Sequence, residues 1–344
     1  MPEKERITTR PRITQEEAEM IYHHRALIKE CNDKGIPVDS VGNYWYKGEH
    51  FSIHVKNNQV SYEQIRADLI EDMNNHAPKY EYIKHKPKKD PHCLVLDPAD
   101  IHIGKLSSSF ETGEDYNEQI AVRRVKEGVN GILEKSKGFP INKIIFIGGN
   151  DILHVDNPKS STTSGTHQNT SGMWYDNFLT AKRLYVDVLE QLTTVADVHF
   201  VFNPSNHDYM SGFFLADVIQ SWFRNNKNIT FDCSISHRKA VKYGNNLIGT
   251  THGDGAKQND LPLLMAVEFP DYWSSTDHRY IYTHHVHHKM VTKDYAGITV
   301  ESLRSPSPAD SWHHRNGFQH APQAIEGFLH HTDYGQVARL THLF

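Results

Sequence analysis

A chain of 344 residues, 38% of them hydrophobic, can bury a large core, and its length suits one sizeable domain with an appendage. No apolar run reaches the ~20 residues of a membrane helix, and the charged start MPEKERITTRPRITQEE lacks a signal peptide's apolar segment. The formal charge of −5 argues against indiscriminate gripping of duplex nucleic acid, although bound divalent cations would offset acidic charge at a site.

Thr14 as N-cap with Glu17 three residues on predicts a helix running to about Cys31, broken by Gly35 and Pro37. Runs at 41–46 and 50–55, separated by Lys47, Gly48 and Glu49, predict a β-hairpin, and a second helix is expected over about 61–74. The basic, proline-punctuated stretch 84–91 reads as a boundary, dividing the chain into an appendage, 1–90, and a main domain, 91–344. The appendage suits either a small winged-helix-like DNA-binding module or a contact surface for another protein, a second copy or the main domain.

Beyond the boundary the pattern is α/β. Short apolar runs at Cys93–Leu96, Lys143–Ile147, Val198–Phe202 and Tyr280–Tyr282 have the character of buried strands. Helical stretches are expected at about 117–136, 173–192 and 213–225, and strands over 229–252 with Tyr243–Asn246 as a hairpin turn. A β-rich tract at about 290–304 and a last strand at Gly335–Leu343 complete a layered α/β sandwich. Cys31, Cys93 and Cys233 lie far apart with no CxxC spacing, as expected of reduced cysteines in a cytoplasmic protein.

Five short blocks of oxygen and imidazole donors follow these strands: Asp100 and His102, Asn150 and Asp151, Asn206 to Asp208, His252, and His285 with His287. Open α/β sheets build their sites beyond the carboxyl ends of strands, so distant blocks can converge there. Carboxylate, amide and imidazole donors without a thiolate suit Mn, Fe, Zn or Ni rather than calcium or an iron–sulfur cluster. Two such ions sharing a carboxylate can clamp both the attacking and the leaving oxygen of an ester. In the run His284–His288 the spacing of an H-x-H pair selects 285 and 287, with 285 and 288 as the other register.

The order D-x-H, G-D, G-N-H-[DE], H and G-H-x-H resembles the calcineurin-like metallophosphoesterases over about residues 92–305, and within them the SbcD-type DNA exonucleases and the metallophosphoesterases of tailed phages. The resemblance implies that Asp100, His102 and His287 hold one metal, that Asp151 bridges, and that Asn206, His252 and His285 hold the second. It further implies Mn²⁺ or a related divalent ion (Mg included), His207 as proton donor to the leaving oxygen, Asp208 as the residue orienting His207, and DNA as substrate within a bacterial or phage-infected cell. A small-nucleotide phosphodiesterase or phosphatase is the alternative, and a catalytically silent binding protein a third. The chain departs from the family pattern where Asn150 precedes Asp151 and where Ser205 and His284 replace glycines. Asn150, His167 and Arg304 are the candidate substrate contacts. The hydroxyl-rich tract 156–172 reads as a surface loop or as a wall that meets phosphate, and His154 and Asp156 as supports for the ligands.

Overall fold

The computed structural model describes residues 14–34, 43–47, 52–56, 64, 66–71 and 79–344. It divides into two compact units, Met1–Asn74 and Asn75–Phe344. In the first, a helix α1 (Gln15–Lys34) precedes an antiparallel hairpin of β1 (Asn43–Lys47) and β2 (Ser52–Lys56), and residues 66–71 are helical. The turn of the hairpin and the ends of the second helix lie outside the described residues.

The division falls before the basic tract. Residues 79–85 are hydrogen-bonded into the second unit, which is why they do not act as a free linker. Tyr80 Oη donates to Glu190 Oε1 at 2.6 Å, and Ile83 exchanges two bonds with the Asn228 side chain.

The second unit is built on two sheets. The first has β3 (His92–Asp97), β4 (Ile141–Gly149), β5 (Asp197–Asn203) and β6 (Ile229–Asp232) in parallel, with β12 (Ala324–His331) and β13 (Gly335–Leu343) added antiparallel beside β3. The second runs β10 (Met290–Tyr295), β11 (Ile298–Ser302), β9 (His278–Thr283), β8 (Asn246–Thr251), β7 (Lys239–Tyr243), with β8, β9 and β11 parallel. Cys93, Val95, Ile145, Ile147 and Val201 of one sheet pack against Tyr243, Ile248 and Tyr282 of the other. Burial on both faces explains the nearly continuous apolar runs of β3 to β5.

Helices cover the outer faces. After the four-residue helix α2 (Ser109–Thr112) come α3 (Glu118–Lys135), α4 (Trp174–Thr193) and α5 (Tyr209–Trp222), which pack on the first sheet. Gly128 of α3 lets the helix approach β12 closely, since a Cβ there would stand 2.5 Å from Ile325. On the second sheet α6 (Leu261–Glu268) buries Leu261 and Met265 against Ile281 and Val300, followed by α7 (Pro270–Ser274). The result is a helix–sheet–sheet–helix sandwich of the α/β class. A short α8 (Ser311–Asn316) lies between β11 and β12. No helix among the described residues is long and apolar enough to cross a membrane.

Strand β12 is the element that the sequence pattern conceals. Its residues are all buried, yet it carries Glu326, Gly327, His330 and His331. Glu326 has no exposure and is held by Arg339 Nη2 at 2.7 Å and Arg304 Nη1 at 2.8 Å. This ion pair corrects the reading of Arg304 as a phosphate ligand: its guanidinium already compensates a buried carboxylate. Removing a charged partner leaves the rest uncompensated. Glu326→Ala is expected to lower stability in urea unfolding by about 3 kcal/mol, at the low end because both arginines keep some solvent contact. Glu326→Gln is expected to cost less.

Candidate metal centre

The loops leaving β3, β4, β5, β8 and β9 meet at one end of the two sheets. Backbone bonds lace them together: Asp100 N donates to Asn150 O at 2.8 Å, His102 N to Asp151 O at 2.9 Å, and Asn150 N to Asn203 O at 3.1 Å. His284 N donates to His252 O at 2.8 Å, and His285 N reaches the Asp100 carboxylate at 3.2 Å. Within this lacing Asp100, His102, Asn150, Asp151, His285 and His287 all have positive φ, between 51° and 72°. The left-handed region is unfavourable for any residue with a Cβ, and least so for Asn, Asp and His among polar residues. Such strain persists where surrounding bonds over-determine it, and it marks sites built for a purpose.

The turns bring the ligand candidates together in two groups, Asp100 with His102 and His287, and Asp151 with His252 and His285. His102 Nε2 and His287 Nε2 face each other at 3.2 Å, and His287 Nε2 lies 3.6 Å from Asp100 Oδ1. Asp151 Oδ2 sits between the groups, 4.0 Å from His102 Nε2 and 3.2 Å from His252 Nε2, and Asn206 Oδ1 is 2.9 Å from the same His252 nitrogen. Asp151 Oδ2 is buried with no aligned hydrogen-bond donor. A buried carboxylate oxygen without a donor, ringed by imidazole nitrogens, is the environment a cation completes. The donor set therefore fits two divalent ions sharing Asp151.

Charge balance points the same way. Burial raises Asp100 to about 6. Burial would also raise Asp151, but His252 and His207 outweigh it and hold that carboxyl below the usual range. Burial works against a charged His252, yet the neighbouring Asp151 carries it up to about 9. Burial and neighbouring cationic groups depress His102, His285 and His287, which keeps their rings neutral and able to coordinate.

His207 stands at the mouth of the site. Its backbone N–H donates to Asp151 Oδ1 at 2.9 Å, and its ring Nδ1 to the His154 carbonyl at 2.9 Å. Asp208 does not orient this ring, which corrects the expected pairing. Its carboxylate is buried beneath the loops, accepting from Ser205 Oγ at 2.6 Å and Leu153 N at 2.9 Å, and burial beside Asp151 pushes it up to about 8. Ser205 Oγ in turn accepts from Asp151 N at 2.7 Å and so wires Asp208 to the Asp151 loop. His154 meets His102 Nδ1 to Nδ1 at 3.4 Å and stacks on His207, with ring centres 5.3 Å apart. Asp156 turns away to cap α5, accepting from Met210 N and Ser211 N.

Of the substrate-contact candidates, His167 lines the groove above the site. Asn150 does not line it and is fully buried. The tract 156–172 folds on itself, with Asp156 N bonded to Ser161 O and Thr162 N to Thr166 O, and it ties to the metal loops through Thr163 N to Asn206 O. Two participants carry no local sequence signal: buried Lys105 and the aromatic residues of 311–318. Asp97, the partner of His284, carries only its place at a strand end three residues before Asp100.

Coordination requires a neutral His252, so a metal must displace the proton that Asp151 holds there. Because that group sits near 9, affinity is expected to rise with pH across 7 to 9, by up to about tenfold per unit, and to level off above. Mn²⁺ titration of chelator-treated protein at stepped pH, with proton release followed in dilute buffer, checks the sign. In His252→Ala the release should shrink.

No protein-family profile and no curated protein sequence matches the chain. Among solved structures, a Vps29 double mutant from Entamoeba histolytica aligns over 45% of this chain and 87% of its own, at 14% identity and TM-score 0.25. Vps29 of Chaetomium thermophilum aligns over 73% and 96%, at 10% identity and TM-score 0.29. The sulfate thiohydrolase SoxB of Thermus thermophilus aligns over 76% of this chain and 58% of its own, at 8% identity and TM-score 0.32.

Proposed function

We propose that this chain is a two-metal phosphodiesterase of the calcineurin-like type, and that it cleaves nucleic-acid strands, DNA foremost. One observation carries the reading: Asp151 lies between two groups of ligand candidates, with the His207 backbone hydrogen-bonded to it at the mouth of a groove. Asp100, His102 and His287 would hold one ion, and Asn206, His252 and His285 the other, with Asp151 between them. When bound, two divalent ions supply Lewis acidity to a phosphoryl group and a water. Mn²⁺ is the first ion to test.

The protein's own residues do the rest. The His154 carbonyl fixes His207 Nδ1, which leaves Nε2 to pass a proton to a departing oxygen. Stacking on His154 and edge contact with His102 at 4.7 Å hold the ring plane. The groove has a volume of about 900 Å³, near the top of the ~300–1,000 Å³ range of ligand pockets, so it has room for nucleosides beside the scissile phosphate. A specific observation favours the second reading, a phosphodiesterase for small nucleotides: among the described residues no lysine or arginine lines this groove. The helix and hairpin of the first unit would then supply DNA affinity, or dock a protein partner or second copy.

With Mn²⁺, labelled single- or double-stranded DNA should be degraded, and a chelator should abolish it. His207→Ala is expected to lower kcat by about 10²–10⁴ while both metal ions stay bound. Cleavage of bis-p-nitrophenyl phosphate or a cyclic nucleotide with DNA left intact would favour the small substrate. No hydrolysis of any phosphodiester under any of Mn, Fe, Zn, Ni or Mg would sink the proposal. Removing residues 1–74 should weaken DNA cleavage and spare small-ester cleavage, because 79–85 remain bonded to the second unit. Equal loss of both would assign the first unit a folding role.

A further inference from the structure

One wall of the groove is aromatic. Trp312 of α8 and Phe318 just beyond it are stacked, with ring centres 5.7 Å apart and planes at 24°, yet they are 60% and 62% exposed. Stacked aromatics usually contribute by burial; these two keep wide faces open to solvent, beside the metal ligands.

Their position is fixed rather than incidental. Buried Lys105 donates to the Pro308 carbonyl at 2.6 Å and lies 3.3 Å from Asp310 Oδ2. Asp310 caps α8 by accepting from His313 N at 3.0 Å and from His313 Nδ1 at 2.7 Å. The His313 ring stacks on the ligand candidate His287, with ring centres 5.3 Å apart, and touches Trp312 edge-on at 5.2 Å. At the far end Gly317, with φ of 79°, reverses the chain, and Phe318 N closes on His313 O at 2.9 Å, folding Phe318 back over Trp312. Two ring-to-ring steps therefore link the aromatic face to the site where a phosphate would sit.

We propose that Trp312 and Phe318 form a stacking shelf for the nucleobase next to the scissile phosphate, so that the preferred substrate is an unpaired strand end or a short oligonucleotide. The proposal rests on the phosphodiesterase reading. A planar ring held a short distance from a phosphate is the chemistry of a nucleotide, and base stacking on aromatic side chains is the recurring device for single strands. Because no lysine or arginine lines the groove among the described residues, stacking must carry what ion pairs carry elsewhere. A base inside a duplex has no free face, and presenting one costs least from a single strand.

A dinucleoside monophosphate has one scissile phosphate and two bases, each of which can be replaced in turn by an abasic sugar. For the metal-loaded full-length protein, loss of one particular base should lower kcat/KM by about 5- to 150-fold. In Trp312→Ala/Phe318→Ala this ratio should fall to within about twofold, and Trp312→Phe should restore most of it, with metal content unaltered throughout. A wild-type ratio near one, or a ratio unchanged in the double variant, overturns the shelf and leaves the phosphodiesterase reading standing. If the dinucleotide is not cleaved at all, quenching of tryptophan fluorescence by adenosine monophosphate decides. Quenching present in the wild type and lost in Trp312→Phe supports the shelf without the hydrolysis, and no quenching overturns it.

Discussion

A cluster of electron-rich atoms governs this molecule. Asp100, Asp151 and the rings of His102 and His252 are buried, with Asn206 and the His287 ring at contact distance beside them, so lone pairs repel and carboxylates lose their hydration. Positive charge has to enter. Without metal, the Asp151 carboxylate favours a proton on His252. Two divalent ions would satisfy the same demand more fully, and the depressed protonation of the other imidazoles suits coordination.

That demand explains the shape of the loops. A strand end naturally splays its side chains to the two faces of the sheet, whereas convergence requires the backbone to turn inward. Asp100, His102, Asn150, Asp151, His285 and His287 do so in the left-handed region, each at a cost of about 1–2 kcal/mol. The compensation is local and polar. Backbone bonds between neighbouring strand loops, Ser205 bridging Asp151 N to Asp208, and Ser305 Oγ donating to Asp100 O at 2.7 Å hold each turn from two sides. The shelf residues are anchored by the same means through Lys105 and Asp310.

What the sequence discloses follows from range. Strands β3, β4 and β5 are legible because burial on both faces writes an uninterrupted apolar run, and the ligand blocks are legible because each closes such a run. Strand β12 is hidden because its Glu326 is neutralised by Arg304 and Arg339, 22 positions before and 13 positions after it. Helix α5 starts at Tyr209 rather than near 213 because its cap, Asp156, comes from another loop. Asp208 differs from expectation for a related reason: adjacency in sequence suggests contact with His207, while the turn sends the two side chains in opposite directions, one to the groove and one beneath the loops. Local chemistry is readable; partners brought by the fold are not.

His284 shows how fold and site are joined. A bulky residue beside two ligand candidates should crowd the site, but its ring turns away into the seam between the sheets and is fully buried. Its Nδ1 meets the Thr251 carbonyl at 3.1 Å, and since a carbonyl only accepts, that nitrogen carries a proton. Its Nε2 lies 2.9 Å from Asp97 Oδ2. The bond ties the end of β3, in one sheet, to the ends of β8 and β9 in the other. Asp100 lies three residues beyond Asp97, His252 one beyond Thr251, and His285 one beyond His284. A contact that fixes these three strand ends thereby fixes the spacing of ligands from both sheets, and a glycine at 284 could not make it.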